Sequence, residues 1–323
     1  MKLNFKNYRI ELTPQILEIW NTNQLGERFP LAEAFWHYNT SGQGLNFEAS
    51  DFSGAFVKDE LVGFVLTRRF RDLARNPDMQ AYAGLGWVSA IVVAKNWQGK
   101  GIGTALLQRA EENLAGVTKI RLGGDVGHFF PGIISDGADS FFRKHGYHIS
   151  QNLEYDLHCS LEDWQSQPLP TAVINGEYFY TQGQAGEEPA ILEFLGRVFP
   201  GRWRYKIALD FKEGISPKDI TLLKRRDGTI AGFLECRHSK SANPVPTLAL
   251  EHNRTWGGIG PLGVDSNVRG GGLGLGLVVF ATDYLKSLGV SDVVIDWTTL
   301  VDFYGKLGYK PYKSYKVAFK ELR

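Results

Sequence analysis

Two glycine-rich stretches, Gln98 to Gly103 (QGKGIG) and Arg269 to Gly274 (RGGGLG), stand 171 residues apart in a chain of 323. An apolar run precedes each, Ile91 to Val93 in the first copy and Ile259 to Val264 in the second. An amphipathic helical pattern follows each, starting at Thr104 and at Leu275. Strand, glycine loop and helix are thus written twice. The tripeptides ending at Tyr147 (HGY) and Tyr309 (LGY) repeat at 162, and Gly63 and Gly232, in hairpin-like text, repeat at 169. Such self-similarity predicts two units of one design.

A glycine loop that opens a helix is an anion site. The first backbone N–H groups have no partner inside the helix, glycine lets a ligand come close, and the helix dipole favours negative charge. A pyrophosphate suits such a place. No Lys followed by Ser or Thr closes either copy, so neither is a P-loop, and a leading Gln or Arg does not fit a dinucleotide fingerprint. Glycines that serve only tight turns are the plain alternative for one copy, and duplication argues against it.

At these residues the sequence resembles the GCN5-related N-acetyltransferases (GNAT), in a tandem arrangement. That family's acetyl-CoA loop reads Gln or Arg, two residues, Gly, one residue, Gly or Ala. Gln98, Gly101 and Gly103 match it, as do Arg269, Gly272 and Gly274. FFRKHGY from Phe141 and FYGKLGY from Phe303 match the closing segment. The resemblance implies an α/β fold with two GNAT domains, each a mixed sheet flanked by helices. It implies acetyl-CoA held in the second unit by Leu262, Gly263, Val264, Arg269, Gly270, Gly271, Gly272, Leu273 and Gly274. A second molecule would lie in the first unit at Val92, Val93, Gln98, Gly99, Gly101 and Gly103, bound more weakly or without reacting.

Length agrees, since 323 residues exceed the usual single core. Pro168 and Pro170 punctuate the middle, so the expected division is 1–160, a linker at 161–175, and 176–323. Thirty-six basic against 35 acidic residues give a charge of +1 and no bulk case for nucleic-acid binding. Cys159 and Cys236 are the two cysteines and suggest no disulfide framework, and no spacing suggests a metal site. No apolar run is long enough for a signal peptide or a membrane span, so a cytoplasmic protein is the expectation.

The chemistry implied is attack of a primary amine on a thioester. It needs a base, a donor near the carbonyl oxygen, and an acid for the departing thiolate. In the family, a tyrosine before the Gly-Tyr turn supplies the acid. Five residues before Tyr309 stands Tyr304, but five before Tyr147 stands Phe142, and a phenyl ring has no proton to give. The second unit is therefore expected to be the catalytic one. Asp296 ends the apolar run VVID and is the candidate base or amine anchor, with Asp125 at the equivalent point of the first unit. The first unit carries about nine extra residues around His128 to Pro131, which suit a substrate wall.

GGDVGHFFPG, FPGRW and IDWTTLVDFYGKLGY look most like bacterial glucosamine or glucosaminide N-acetyltransferases, with mycothiol synthases as more distant relatives. An amino-sugar acceptor is implied, and Asp125, His128, Arg202, Trp203 and Trp297 are its candidate contacts. Polyamines, aminoglycosides and cysteinyl sugars are alternative acceptors. A CoA-binding protein without catalysis is the alternative of another class.

Overall fold

A computed structural model describes residues 2–41, 47–71, 73–74, 76–134, 136–238 and 254–322. In the first half, β1 (Asn4–Lys6) leads through α1 (Thr13–Asn21), α2 (Gln24–Arg28) and α3 (Glu33–Thr40) into β2 (Phe52–Val57) and β3 (Glu60–Arg69). β4 (Leu85–Val93), α4 (Ile102–Asn113), β5 (Lys119–Leu122), α5 (Asp136–Lys144) and β6 (His148–Ser160) follow. The short α6 (Thr171–Ile174) lies between the halves. The second half repeats the order: β7 (Tyr178–Gln182), α7 (Glu188–Val198), α8 (Arg202–Lys212), β8 (Ile220–Arg225), β9 (Ile230–His238), β10 (Trp256–Val264), α9 (Leu273–Ser287), β11 (Asp292–Thr298), α10 (Val301–Gly305) and β12 (Lys310–Glu321).

Local sequence explains most of these elements. Pro14 and Pro189 sit in the first turns of α1 and α7, where a missing N–H costs nothing. Asp227-Gly228 turns β8 into antiparallel β9. Pro261 cannot donate to a ladder, and the pairing of β10 with β9 shifts register between Ile259 and Leu262. Phe35 and Trp36 of the aromatic stretch near residue 30 are core, while the Gly/Asn-rich stretch 42–46 lies outside the described residues.

The twelve strands among the described residues join one sheet in the order β1-β2-β3-β4-β5-β12-β6-β11-β10-β9-β8-β7. The halves are not simply laid side by side. Each gives its last strand to the other: β12 pairs with β5 of the first half, and β6 pairs with β11 of the second. The two exchanged strands then pair with each other, Tyr315 opposite Glu154. Helix α4 covers one apolar cluster of the first half (Leu106, Leu107, Ile120) and α1 and α3 cover another (Trp20, Trp36, Phe64). Helix α9 covers the core of the second half with Leu277 and Val278.

The segment between the halves is docked rather than loose. Trp164 Nε1 donates to Asp283 of α9 at 2.7 Å, and Lys286 Nζ donates to the Trp164 carbonyl at 2.8 Å. Helix α8 leans the other way, onto the first half, where Arg204 ion-pairs with Asp78 and Tyr205 meets Phe70 edge-on.

Candidate active site

The glycine loops have the same geometry. Gly101 caps α4 at φ +80°, ψ 0°, and Gly272 caps α9 at φ +80°, ψ 1°. That left-handed conformation is the reason for glycine there. The polar first residue of each loop ties it to the preceding strand: Gln98 Nε2 donates to the Val93 carbonyl at 3.1 Å and Arg269 Nε to the Val264 carbonyl at 2.9 Å. No atom lies within 4 Å of where a β-carbon would stand at Gly99, Gly101, Gly270 or Gly271, so a ligand can approach bare backbone. At Gly272 the ring of Pro170 is 3.7 Å away, which puts the inter-half segment beside the second loop.

Next to each loop two parallel strands part. β4 pairs with β5 only from Leu85 to Val88, and β10 with β11 only from Trp256 to Gly258. Beyond those points the backbone of Ser89 to Val93, and of Ile259 to Val264, leaves the neighbouring parallel strand. In the first half the gap is a cleft of about 720 Å³, whose lining includes Val92, Val93, Gln98, Gly99 and Gly103. Trp20 and Phe130, edge to face at 5.4 Å, also line it, as does Phe142.

Charge gathers where β11 ends. Two arginines five residues after the matched glycines, Arg68 and Arg237, face the two matched aspartates. Arg68 Nε donates to Asp125 at 3.0 Å, with both side chains fully enclosed, and Phe129 N donates to the same carboxylate at 3.2 Å. In the second half Arg237 turns to Glu235 and to the Gly260 carbonyl, leaving its Nη1 3.8 Å from Asp296. Asp296 is 17% exposed and pairs with His128 Nδ1 at 3.2 Å. Burial alone would raise its pKa, but the His128 hydrogen bond and the charges of Arg237 and Arg202 bring it down to about 2.

The pairing of β11 with β6 shifts register between Ile295 and Thr298, so Asp296 and Trp297 fall in an irregularity that aims side chains off the ladder. Trp297 has φ +50°, and its N–H donates to Asp156 of the exchanged strand β6 at 3.2 Å. Tyr315 of β12 donates to the same oxygen at 3.0 Å. Trp297 stacks on His128 at 4.1 Å, and the Arg202 guanidinium lies 5.6 Å from its ring centre. Arg202 makes no ion pair among the described residues. Tyr304 is 6% exposed and its hydroxyl makes no hydrogen bond among those residues either; burial, then the charge of Asp296, pushes its pKa up to about 12.

The GNAT acetyltransferase domain family matches residues 49–149, and the acetyltransferase (GNAT) family matches 189–309. Both strand–loop–helix units described above lie inside these spans. The chain belongs to the GNAT family, with two of its domains in tandem. Its structure is similar to a GCN5-related glucosamine N-acetyltransferase region of a fungal multi-domain GH3 β-N-acetylglucosaminidase (25% identity, TM-score 0.86), covering 98% of this chain and 38% of that one. This tandem GNAT therefore spans well under half the length of that relative. A GCN5-related N-acetyltransferase from Sphaerobacter thermophilus (17%, TM-score 0.71, 99% and 96% covered) shares the fold. So does a tandem GNAT protein from the clavulanic acid biosynthesis pathway (17%, TM-score 0.68, 99% and 98% covered). No curated protein sequence matches it.

Acetyl-CoA fits the tandem GNAT loops on this chain's own geometry: parted strands, left-handed glycine caps and open backbone N–H groups. In the second half Arg269 to Gly274 would hold the pyrophosphate, with the Leu262 to Val264 strand alongside. Among the described residues no group of three His, Cys, Asp or Glu side chains could hold a metal ion.

Of the predicted contacts, His128, Arg202, Asp296 and Trp297 converge. Asp125 does not join them: it is fully buried against Arg68 and holds its own loop. Trp203 turns away and packs on Phe199 and Phe233, with ring centres 5.3 and 5.9 Å apart. Sequence reading missed Arg237 and Asp156. Arg237 was within reach, because the Gly63/Gly232 match places Arg68 and Arg237 at the same offset. Asp156 was not, because its role depends on the strand exchange.

Proposed function

We propose that this chain transfers the acetyl group of acetyl-CoA directly to the primary amine of glucosamine or a short glucosaminide, with the second half catalytic. One observation carries the reading: His128 of the first half joins Asp296, Trp297 and Arg202 in a polar cluster with an aromatic face at the end of β11, and the second half keeps a phenol at Tyr304. An ionised Asp296 can anchor an amine. A Trp face and a guanidinium suit the face and hydroxyls of a pyranose. The likeness to the fungal glucosamine N-acetyltransferase region supports the same acceptor class. Tyr304, protonated at neutral pH, gives its proton to the CoA thiolate. The first half has Phe142 at the matching place, so its loop is a weaker or an occupied but non-catalytic acetyl-CoA site.

An array of acceptors, comprising glucosamine, chitobiose-type amines, polyamines, aminoglycosides and cysteinyl sugars, tests this by CoA release. Amino sugars should give the highest kcat/KM. A strong preference for a polyamine or peptide amine over every amino sugar would overturn the assignment. Acetyl-CoA binding with no CoA release from any amine would instead identify a binding protein.

A further inference from the structure

His128 belongs to the loop after β5 of the first half, yet its ring stands against the end of β11 in the second. Its Nδ1 lies 3.2 Å from Asp296 Oδ2, and its plane is within 10° of the Trp297 plane. His128 has φ +53° and Trp297 φ +50°, a backbone conformation that costs a residue with a side chain about 1 kcal/mol or more and persists where the surroundings impose it. Asp125 imposes it on one side. Its carbonyl accepts from His128 N and its carboxylate from Phe129 N, both at 3.2 Å. The imidazole is 20% exposed, and Nε2 has no partner among the described residues.

The charged groups facing the ring are Asp296 from β11, Arg237 from β9 and Arg202 from α8. Burial, then Arg202, with Arg237 adding to them, outweighs Asp296 and lowers the His128 pKa to about 4. The ring is therefore neutral at neutral pH. With Asp296 ionised, the proton sits on Nδ1 and the lone pair is left on Nε2, in a side chain that is 20% exposed.

We infer that His128 is the general base of acetyl transfer and that Asp296 acts through it as a positioning residue, so that the two halves build the dyad together. The inference rests on the acetyl-transfer reading above. The neutral amine attacks the thioester carbon. As the C–N bond forms, the nitrogen becomes a far stronger acid than the free ammonium, and His128 Nε2 takes its proton. The C–S bond breaks with its electron pair leaving on sulfur, and Tyr304 protonates the thiolate. Transfer of the proton from imidazolium to phenolate through water restores both residues.

A histidine that only walls the sugar would act on acceptor affinity, which separates the two roles. His128→Phe keeps a flat ring against Trp297 and His128→Gln keeps a polar side chain. Both should bind acetyl-CoA calorimetrically as the unaltered protein does, which reports folding, and both should lose about 10²- to 10⁴-fold in kcat. Added imidazole should restore turnover to His128→Ala in proportion to its free base, but not to Asp296→Asn. Asp296→Asn should lower kcat more than it raises the acceptor KM. If His128→Phe turns over within about threefold of the unaltered chain with only the acceptor KM raised, the base role is lost. If the unaltered chain releases CoA with no amine, the acetyl-transfer reading falls and the dyad with it.

Discussion

Arg68 with Asp125, and Arg237 with Asp296, are the same pair written twice, and the two copies have parted. The first is closed at 3.0 Å with both side chains sealed from water, and the second is open at 3.8 Å with Asp296 17% exposed. Closing one pair fixes the loop that carries His128. Opening the other frees a carboxylate to receive that histidine. A duplicated ion pair can thus become a fastener in one half and part of a site in the other. The backbone around it changes little, since Gly101 and Gly272 cap their helices with the same dihedral angles.

The glycine caps provide the sharpest test of which half reacts. Gly272→Asp puts a carboxylate and a side chain against the pyrophosphate position and should abolish turnover. Gly101→Asp imposes the same left-handed strain on a residue with a side chain, so it controls for folding, and it should leave kcat largely intact while removing any acetyl-CoA bound in the first half. Calorimetric stoichiometry with steady-state kinetics on the two variants reads the difference. Activity that survives at Gly272 and vanishes at Gly101 would place catalysis in the first half.

Next in size is the phenol. Tyr304→Phe should reduce kcat about 10²- to 10⁴-fold with acetyl-CoA affinity unchanged. Its melting temperature should hardly move, because the hydroxyl makes no hydrogen bond among the described residues. The reciprocal Phe142→Tyr should add no turnover when made in the Tyr304→Phe background, since the dyad is not on that side. Recovery of activity in that double variant would mean that the first half is also competent.

The ion pairs come third. Asp125→Ala leaves the enclosed Arg68 charge without its carboxylate and should cost about 3–5 kcal/mol of stability. Asp296→Ala should cost about 1–2 kcal/mol, because Arg237 keeps Glu235 and the Gly260 carbonyl. Urea unfolding of both proteins makes the comparison, and equal losses would remove the contrast between the closed and open pairs.

The smallest effect is on acid stability. The folded-state pKa of His128 is lowered, so the unfolded chain takes up its proton first, and stability falls as pH drops from about 6.5 to about 4. Asp296, also held below its ordinary value, stabilises the fold above about pH 4, and that contribution is lost as pH falls toward 2. Because the imidazole is one-fifth exposed, the His128 part is about 1–2 kcal/mol. His128→Gln should flatten the upper part of this profile in urea titrations between pH 7 and 4. An unchanged slope would mean that the ring is not held neutral.

Much of this was legible locally. The glycine loops, the helix starts at Pro14 and Pro189, the Asp227-Gly228 hairpin and the break at Pro261 follow from backbone chemistry that each residue carries with it. The difference between Tyr304 and Phe142 is likewise plain in the text. Trp203 was less legible, because an aromatic beside a polar helix start suits a sugar platform and a packing surface equally well, and its neighbours Phe199 and Phe233 decide for packing.

The sequence by itself determined the repeat, the fold of each unit and the half that carries the phenol, because glycine dihedrals, turn chemistry and apolar periodicity act over a few residues. Only the tertiary structure decided which strand completes which sheet. The residues of β6 and β12 alternate in a way that suits either half, and the choice is made by pairing with β11 and β5 across more than a hundred residues. That choice puts Asp156 under the Trp297 backbone. It was also the tertiary structure that closed Asp125 on Arg68 and brought His128 to Asp296, 168 residues away along the chain. Whether a carboxylate is a fastener or a reagent depends on what shields it from water, and that shield comes from distant parts of the chain.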